Sequence, residues 1–404
     1  MLKTVMILGT GAQGATIALR LNDEPGVEKI ICADRDRDAA ERCAGRLAKA
    51  AAIQVDACNA AEVLRAAKGA DLIVNALPPD FNPTVMHAAL ENGMHYQDMA
   101  SGPVQDIDFV GAVQRQLALD EAFKSAGLRA LINTGSAPGL VNVIARHAAD
   151  RLDAVESIDI FIYDGIWTNR FIPFWWSPET AFGDMAAEPI IFENGVHRRV
   201  PPFNDPEMID FRGLGPRRMV DHEHEEPVTF GLFFKGLQRA AFKYGGPACD
   251  LAESFYKMGL LGTEPVDVKG VKVVPLDLVC RLTPPAPADP ASIKNALADG
   301  MVLEEGAGLV RVQGQKDGRS IRLDNYINAP GLTECFEKHG ITHESFLTGQ
   351  SAFLFTKLLV NDKIPERGVF PPEVLDAQAR TYYLSEAAKL GITVDEIQET
   401  RLFG

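Results

Sequence analysis

The sequence predicts an α/β protein: a doubly wound parallel sheet first, then a second α+β domain with a mixed sheet. Three observations carry this. Over roughly the first 135 residues, short apolar runs alternate with segments whose apolar residues have helical spacing, the pattern of a parallel sheet covered on both faces. A glycine-rich turn, Gly9-Thr10-Gly11-Ala12-Gln13-Gly14, joins the first apolar run to the first helical segment. After Leu140 the texture changes to β-like runs, aromatic clusters and Gly/Pro turns.

Thr4 to Leu8 reads as a buried strand and Ala15 to Leu21 as the helix after the turn. Gly9 lets the chain turn tightly. Gly11 has no Cβ to obstruct a pyrophosphate, and Gly14 lets the helix approach the strand. With Ala12 and Gln13 they offer phosphates the free N–H groups and partial positive charge of a helix N-terminus. Lys29 to Ala33 is a second strand ending in Asp34, twenty residues after Gly14, where a carboxylate holds the ribose hydroxyls of NAD. Arg35 follows and either stacks on the adenine or accommodates a 2′-phosphate, so NAD is expected and NADP stays open.

A helix is expected over Ala39 to Ala51, a strand over Ile53 to Val55 and a helix over Ala60 to Lys68. The run from Asp71 to Leu77 is a strand stopped by Pro78. Because ligands sit beyond the carboxyl ends of such strands, Ala76, Leu77 and Pro78 are expected to border the cofactor. Asn82 to Asn92 and Val110 to Ala126 read as helices, Met94 to Asp98 and Leu128 to Ile132 as strands. Further on, Ile158 to Tyr163 alternates like a strand, and the runs flanking Gln313 to Arg319 read as a hairpin. Helices are expected over Ser351 to Asn361, Pro372 to Leu390 and Val394 to Glu399.

Composition narrows the function. The formal net charge of −15, with no Lys/Arg run to offset it, argues against nucleic acid as a partner. No apolar run reaches the length of a membrane span; Lys235 interrupts even Val228 to Leu237. The six cysteines form no Cys-x-x-Cys and read as free thiols of a reducing cytoplasm. The apolar start of the chain mimics a signal peptide, but the glycines and Asp34 account for it better.

Four blocks give the chain its resemblance to the saccharopine dehydrogenase-like oxidoreductases, a group that includes lysine 6-dehydrogenase and carboxynorspermidine dehydrogenase. They are Gly9 to Gly14 with Asp34-Arg35; Asn133 to Asn142, which contains Pro138-Gly139-Leu140-Val141-Asn142; Trp176-Ser177-Pro178-Glu179 with His222 to Thr229; and Thr348-Gly349 to Leu359 with Gly368 to Glu373. The resemblance implies a Rossmann domain formed by residues 1–136 with 345–404, the C-terminal helices returning to it, and a substrate-binding and dimerisation domain over 137–344. It also implies an NAD(P)-dependent dehydrogenase of a C–N bond in an amino acid or opine-like secondary amine. A carboxynorspermidine dehydrogenase-like reductase of a polyamine precursor and a non-catalytic dinucleotide sensor are the alternatives. A homodimer is expected, joined through apolar material such as Val228 to Phe234.

Imine chemistry needs proton transfer at nitrogen and at water. Asp98, at the end of a strand on the cofactor edge, is one candidate for it; a cap on the next turn is the other reading. Ser136 should lie near the nicotinamide, and Asn142 either contacts substrate or caps the helix that follows. On a strand, His222, His224 and Glu226 of the His222-Glu223-His224-Glu225-Glu226 run would share a face. The run lacks the spacing of a zinc motif, and no metal is expected. Glu226 is expected to pair with a substrate ammonium, and His222 or His224 to act as acid or base. Trp176 is a candidate pocket wall, and Arg170 a candidate clamp for a substrate carboxylate.

Overall fold

The computed structural model describes residues 2–104, 107–167, 177–287, 289–298 and 303–401. The chain divides into two units, Met1–Asp150 with Ser345–Thr393, and Arg151–Glu344 with Val394–Gly404.

The first unit begins β1 (Thr4–Leu8), α1 (Ala12–Asn22), β2 (Lys29–Asp34), α2 (Arg37–Ala44), β3 (Ala50–Gln54), α3 (Ala60–Ala67), β4 (Leu72–Asn75), α4 (Asn82–Glu91) and β5 (His95–Asp98). It continues with α5 (Phe109–Leu117), α6 (Asp120–Ser125), β6 (Arg129–Leu131) and α7 (Leu140–Ala149). Val5 to Leu8 and Leu72 to Val74 are buried, so the central strands read as unbroken apolar runs, as strands covered on both faces must. β1 pairs in parallel with β2 on one side and β4 on the other. Chain order therefore reverses between β1 and β4, and their carboxyl ends open a crevice there.

Two expectations for this unit need correction. The helix predicted over Ala39 to Ala51 stops at Ala44, and Ala50 to Gln54 pair in register with Ile30 to Asp34 as β3. Tertiary pairing here overrides the helix preference of alanine. The helix predicted over Val110 to Ala126 breaks at Ala118-Leu119 into α5 and α6. The break lets Asp120, in the first turn of α6, accept the N–H of Val369 at 2.9 Å.

The second unit holds β7 (Ala154–Trp167), α8 (Pro178–Ala186), β8 (Ile190–Glu193), β9 (Val196–Arg199), β10 (Glu207–Phe211), β11 (Gly215–Asp221), α9 (Glu226–Phe233), β12 (Arg239–Gly245) and α10 (Pro247–Lys257). A two-stranded ribbon, β13 (Val266–Val268) and β14 (Val271–Val273), precedes α11 (Pro275–Leu282), α12 (Pro290–Ala298), β15 (Leu303–Lys316), β16 (Arg319–Asn328) and α13 (Leu332–His339). The sheet is mixed: β7 runs parallel to β12 and antiparallel to β15. The predicted hairpin is the long β15–β16 pair.

The chain then returns to the first unit through α14 (His343–Val360), β17 (Gly368–Phe370) and α15 (Ala377–Lys389). β17 completes a seven-stranded sheet in the order β17-β6-β5-β4-β1-β2-β3. Gly349 lets α14 lie close to α1, since a Cβ there would stand 2.8 Å from the side chain of Thr16. The helix predicted over Val394 to Glu399 is instead an edge strand, β18 (Thr393–Thr400), beside β16. Its acids meet arginines of its own unit: Glu396 pairs with Arg151, Asp395 with Arg212 at 3.2 Å and Glu399 with Arg322 at 2.6 Å.

Candidate active site

The candidate residues fall into two groups, one in each unit. In the first unit the glycine turn is built as its spacing predicts. Gly9 has φ of +94°, and a Cβ on it would lie 2.8 Å from the carbonyl oxygen of Ala76. A Cβ on Gly14 would lie 1.9 Å from the carbonyl oxygen of Gly9. Gly11 is different: nothing among the described residues stands within 4 Å of the place its Cβ would take. The first and third glycines are fixed by the chain itself, whereas the second keeps a space clear at the N-terminus of α1. There the N–H groups of Ala12, Gln13 and Gly14 precede the first intrahelical bonds. These residues fit a dinucleotide pyrophosphate.

Asp34 ends β2 beside this turn. Thr10 donates its N–H at 2.8 Å and its hydroxyl at 3.0 Å to Oδ2, and Asp36 donates its N–H at 3.0 Å to Oδ1. Burial raises its pKa, but these donors outweigh burial and hold it below the usual carboxylate range. The acid is thus ionised and tied to the glycine turn. Sequence spacing does not single out Thr10, because the motif leaves that position unspecified. Arg35 is exposed. Ala76 and Leu77 are partly exposed and Pro78 is exposed at the end of β4, where a bound nicotinamide nucleotide would run.

Asp98 ends β5 as expected, but it is enclosed, with 1% of its surface exposed. It accepts the N–H of Asn133 at 2.8 Å, the Tyr96 hydroxyl at 2.9 Å and the Gln116 side chain at 2.5 Å. Burial pushes its pKa up to about 7 against the pull of these three donors. Asn133 sits at φ +61°, and its side-chain oxygen accepts the Ser101 hydroxyl at 2.6 Å. Asp98 therefore fastens the end of β5 to the segment leading into α7. In that segment Ser136 is partly exposed, Ala137–Pro138 is cis, and a Cβ on Gly139 would lie 2.0 Å from the carbonyl oxygen of Gly135. Asn142 is fully buried. Its Oδ1 accepts the Gly139 N–H at 2.7 Å and its Nδ2 donates to Glu373 at 3.0 Å. Asn142 is the third residue of α7 and Gly139 is the N-cap, so Asn142 does not cap the helix from the N-cap position; its side chain bonds back to the N-cap N–H.

In the second unit the expected single strand carrying His222, His224 and Glu226 is absent. β11 ends at Asp221, and Glu226 opens α9 with Pro227 behind it. Proline has no N–H to give a sheet and is well placed in a first helical turn. The three side chains nevertheless belong to one cluster. The His224 ring stacks on Phe242 with centroids 3.9 Å apart and planes 8° apart. Its Nδ1 bonds Glu226 Oε2 and stands 3.5 Å from Glu225. His224 keeps 21% of its side chain exposed, while Glu226 is wholly buried and its Oε1 has no hydrogen-bond partner among the described residues. His222 lies 6.5 Å from His224 and 5.2 Å from Tyr244, ring to ring.

The two histidines are driven apart in protonation. Burial, and then the charge of His224, pull His222 down to about 3. Burial also pulls on His224, but Glu226, Glu225 and Asp184 outweigh it and raise it to about 9. At neutral pH His222 is neutral and His224 is a cation. Asp184, on α8, is a member of the cluster that sequence spacing does not reveal, since it lies on another element far along the chain. Burial pushes it up to about 6 against the attraction of His224. Among the described residues, His224, Glu225 and Glu226 are the set whose possible ligand atoms all lie within 4.8 Å of one another. A protonated imidazole bonded to a carboxylate is an ion pair, and it binds metal only after losing its proton. Arg170 and Trp176 lie outside the described residues.

The family model of the saccharopine dehydrogenase NADP binding domain matches residues 5–131, and that of the saccharopine dehydrogenase C-terminal domain matches residues 135–392. A carboxyaminopropylagmatine dehydrogenase of Synechocystis is 25% identical over 400 residues, covering 97% of each chain. A carboxynorspermidine synthase of Vibrio cholerae is 28% identical over 320 residues, 76% of this chain and 73% of that protein. The apo saccharopine dehydrogenase (L-Glu forming) of Saccharomyces cerevisiae has the same fold. Its TM-score is 0.73 at 13% identity, over 98% of this chain and 100% of that one.

Proposed function

The chain belongs to the saccharopine dehydrogenase family, and on that premise we propose that it is an NAD(P)-dependent oxidoreductase of the C–N bond in an amino acid or opine-like secondary amine. The observation that carries the chemistry is the His224–Glu226 pair beside neutral His222. Forming or hydrolysing an imine needs a proton donor and a proton acceptor near neutral pH, and two groups whose pKa values are pushed apart supply them. His224 serves as the acid. His222, pulled down to about 3, is too weak a base to take a proton near neutral pH and stays a neutral neighbour of that acid; Asp184, pushed up to about 6, is the acceptor nearer neutrality. Glu226 is buried behind His224, so it orients and charges that ring rather than meeting a substrate ammonium itself. Asp184, partly exposed on α8, is the carboxylate left to attract a cationic substrate. Asp98 has a positioning role in the cofactor unit. The bound cofactor supplies the hydride acceptor or donor at its nicotinamide. Ionised Asp34 favours NAD, because it repels a 2′-phosphate.

A second reading concerns the substrate. Two relatives that align along most of this chain are named for carboxylated polyamines, which supports a substrate with a carboxylate and a cationic chain. The deciding experiment follows nicotinamide absorbance with NAD and with NADP against amino acids, opines and carboxylated polyamines. Turnover with at least one amine, faster with NAD, is expected. Asp34→Ser should then move the preference towards NADP. Tight cofactor binding with no turnover on any member of the panel would make the protein a dinucleotide sensor instead.

A further inference from the structure

We infer that Cys32 and Cys43 form a dithiol that hydroperoxides oxidise to a disulfide, and that this modification weakens dinucleotide binding. Cys32 is buried in the middle of β2, and Cys43 is half-buried in the last turn of α2. Their sulfurs are 3.7 Å apart. A disulfide bond is about 2.05 Å long, so the sulfurs must close by about 1.7 Å. The thiols differ in a useful way. Cys32 donates its hydrogen to Cys43, and burial also keeps Cys32 protonated. That hydrogen bond stabilises the Cys43 thiolate, and Arg46 adds to the effect despite burial and the charge of Asp34. Cys43 is thus the nucleophile and Cys32 the resolving thiol.

The reaction balances. The Cys43 thiolate attacks the terminal peroxide oxygen, the O–O bond breaks, and hydroxide leaves from hydrogen peroxide, or alkoxide from an organic hydroperoxide. Cys43 becomes a sulfenic acid. Cys32 then gives its proton to the departing oxygen and its sulfur attacks Cys43; the S–O bond breaks, water leaves and the S–S bond forms. Two thiols are oxidised by two electrons in total, and the peroxide is reduced to water, or to water and an alcohol. The loop so closed contains Asp34, which holds Thr10 of the glycine turn, and Asp36, the N-cap of α2. Drawing α2 onto β2 therefore disturbs the turn that carries the ribose-binding acid.

Exposed Cys58 provides an internal reference. The full-length protein is titrated with hydrogen peroxide, digested under non-reducing conditions and analysed by mass spectrometry. A cross-linked peptide joining Cys32 to Cys43 should appear before Cys58 is oxidised. Dimedone should trap a sulfenic acid at Cys43 in Cys32→Ser. Binding of NADH, followed by its fluorescence, should weaken several-fold on oxidation and recover with dithiothreitol; Cys43→Ser should bind NADH like the reduced wild type after peroxide treatment. Oxidation of Cys58 ahead of Cys43, or no cross-link in the folded wild type, overturns the dithiol. A complete cross-link with unchanged NADH affinity overturns its link to the cofactor.

Discussion

Gly11 and Asp98 mark opposite situations for a single residue. Gly11 faces open space, so a larger side chain there costs the fold little but fills the place of a pyrophosphate. Gly11→Val should keep its stability within about 1 kcal/mol of wild type and lose NAD binding by at least tenfold in calorimetry. Asp98 is enclosed by donors, and Gln116 Oε1 beside it has no hydrogen-bond partner among the described residues. In Asp98→Asn, an amide flip of Gln116 lets the new side-chain amide donate where the carboxylate accepted, so the variant should fold and keep most of kcat. Its stability should respond to pH in a definite direction. A native pKa of about 7 lies above the unfolded value of about 3.9. The wild type therefore loses stability as pH rises from about 4 to about 7, and no more from this group above that. Urea unfolding at pH 5 and pH 8 should show that loss reduced in Asp98→Asn, by on the order of a few kcal/mol at about 1.4 kcal/mol per unit. An unchanged difference between the two pH values, or a hundredfold fall in kcat, would contradict the positioning role. The position of Asp34 was legible because a strand length and a helix length fix it. Thr10, Gln116 and Asp184 were not, because their partners are brought to them by tertiary structure.

Among the elements, α7 shows how a segment is assigned to a unit. Asn142 serves Gly139 at its own N-terminus and Glu373 just after β17, and Arg146 donates to the Glu373 carbonyl at 2.8 Å. Asn142→Ala removes the acceptor of the Gly139 N–H, a hydrogen bond worth about 1 kcal/mol, and takes a donor from buried Glu373, worth about 1–3 kcal/mol. Urea unfolding should show a loss of roughly 2–4 kcal/mol. Asn142→Asp keeps the acceptor oxygen but sets a second carboxylate against Glu373, so it should be no more stable than the alanine variant. A loss below about 0.5 kcal/mol would show that α7 is held by apolar packing alone. The strands of the first unit were legible because burial on both faces leaves continuous apolar runs. Ala50-Ala51 and Val394 to Glu399 read as helix, because an alanine-rich run and an acidic amphipathic run carry no local sign of the strand waiting to pair with them.

At the scale of the whole molecule, apolar periodicity reads helix over Ser351 to Asn361 but carries no sign of which unit residues 345–393 join. Within the expected dimer segment Val228, Phe230 and Phe234 are buried in the second unit, leaving Leu232 exposed at 45%. Met258 at 73% and Leu282 at 74% exposure are better candidates for a surface awaiting a second copy. Sedimentation at micromolar concentration should give the mass of a dimer, and Met258→Glu with Leu282→Glu should give a monomer; a monomeric wild type would contradict this. The central claim, that His224 charged by Glu226 is the acid of amine chemistry, is tested most directly by the pH profile of kcat/KM for wild type and Glu226→Gln with the best substrate of the panel. Burial opposes but Glu226, Glu225 and Asp184 set the His224 pKa at about 9, so wild-type activity should hold through neutral pH and fall through about 9. Glu226→Gln should lower kcat/KM about a hundredfold and move that fall towards the ordinary histidine range near 6.5. An alkaline fall at the same pH in both proteins would contradict the claim.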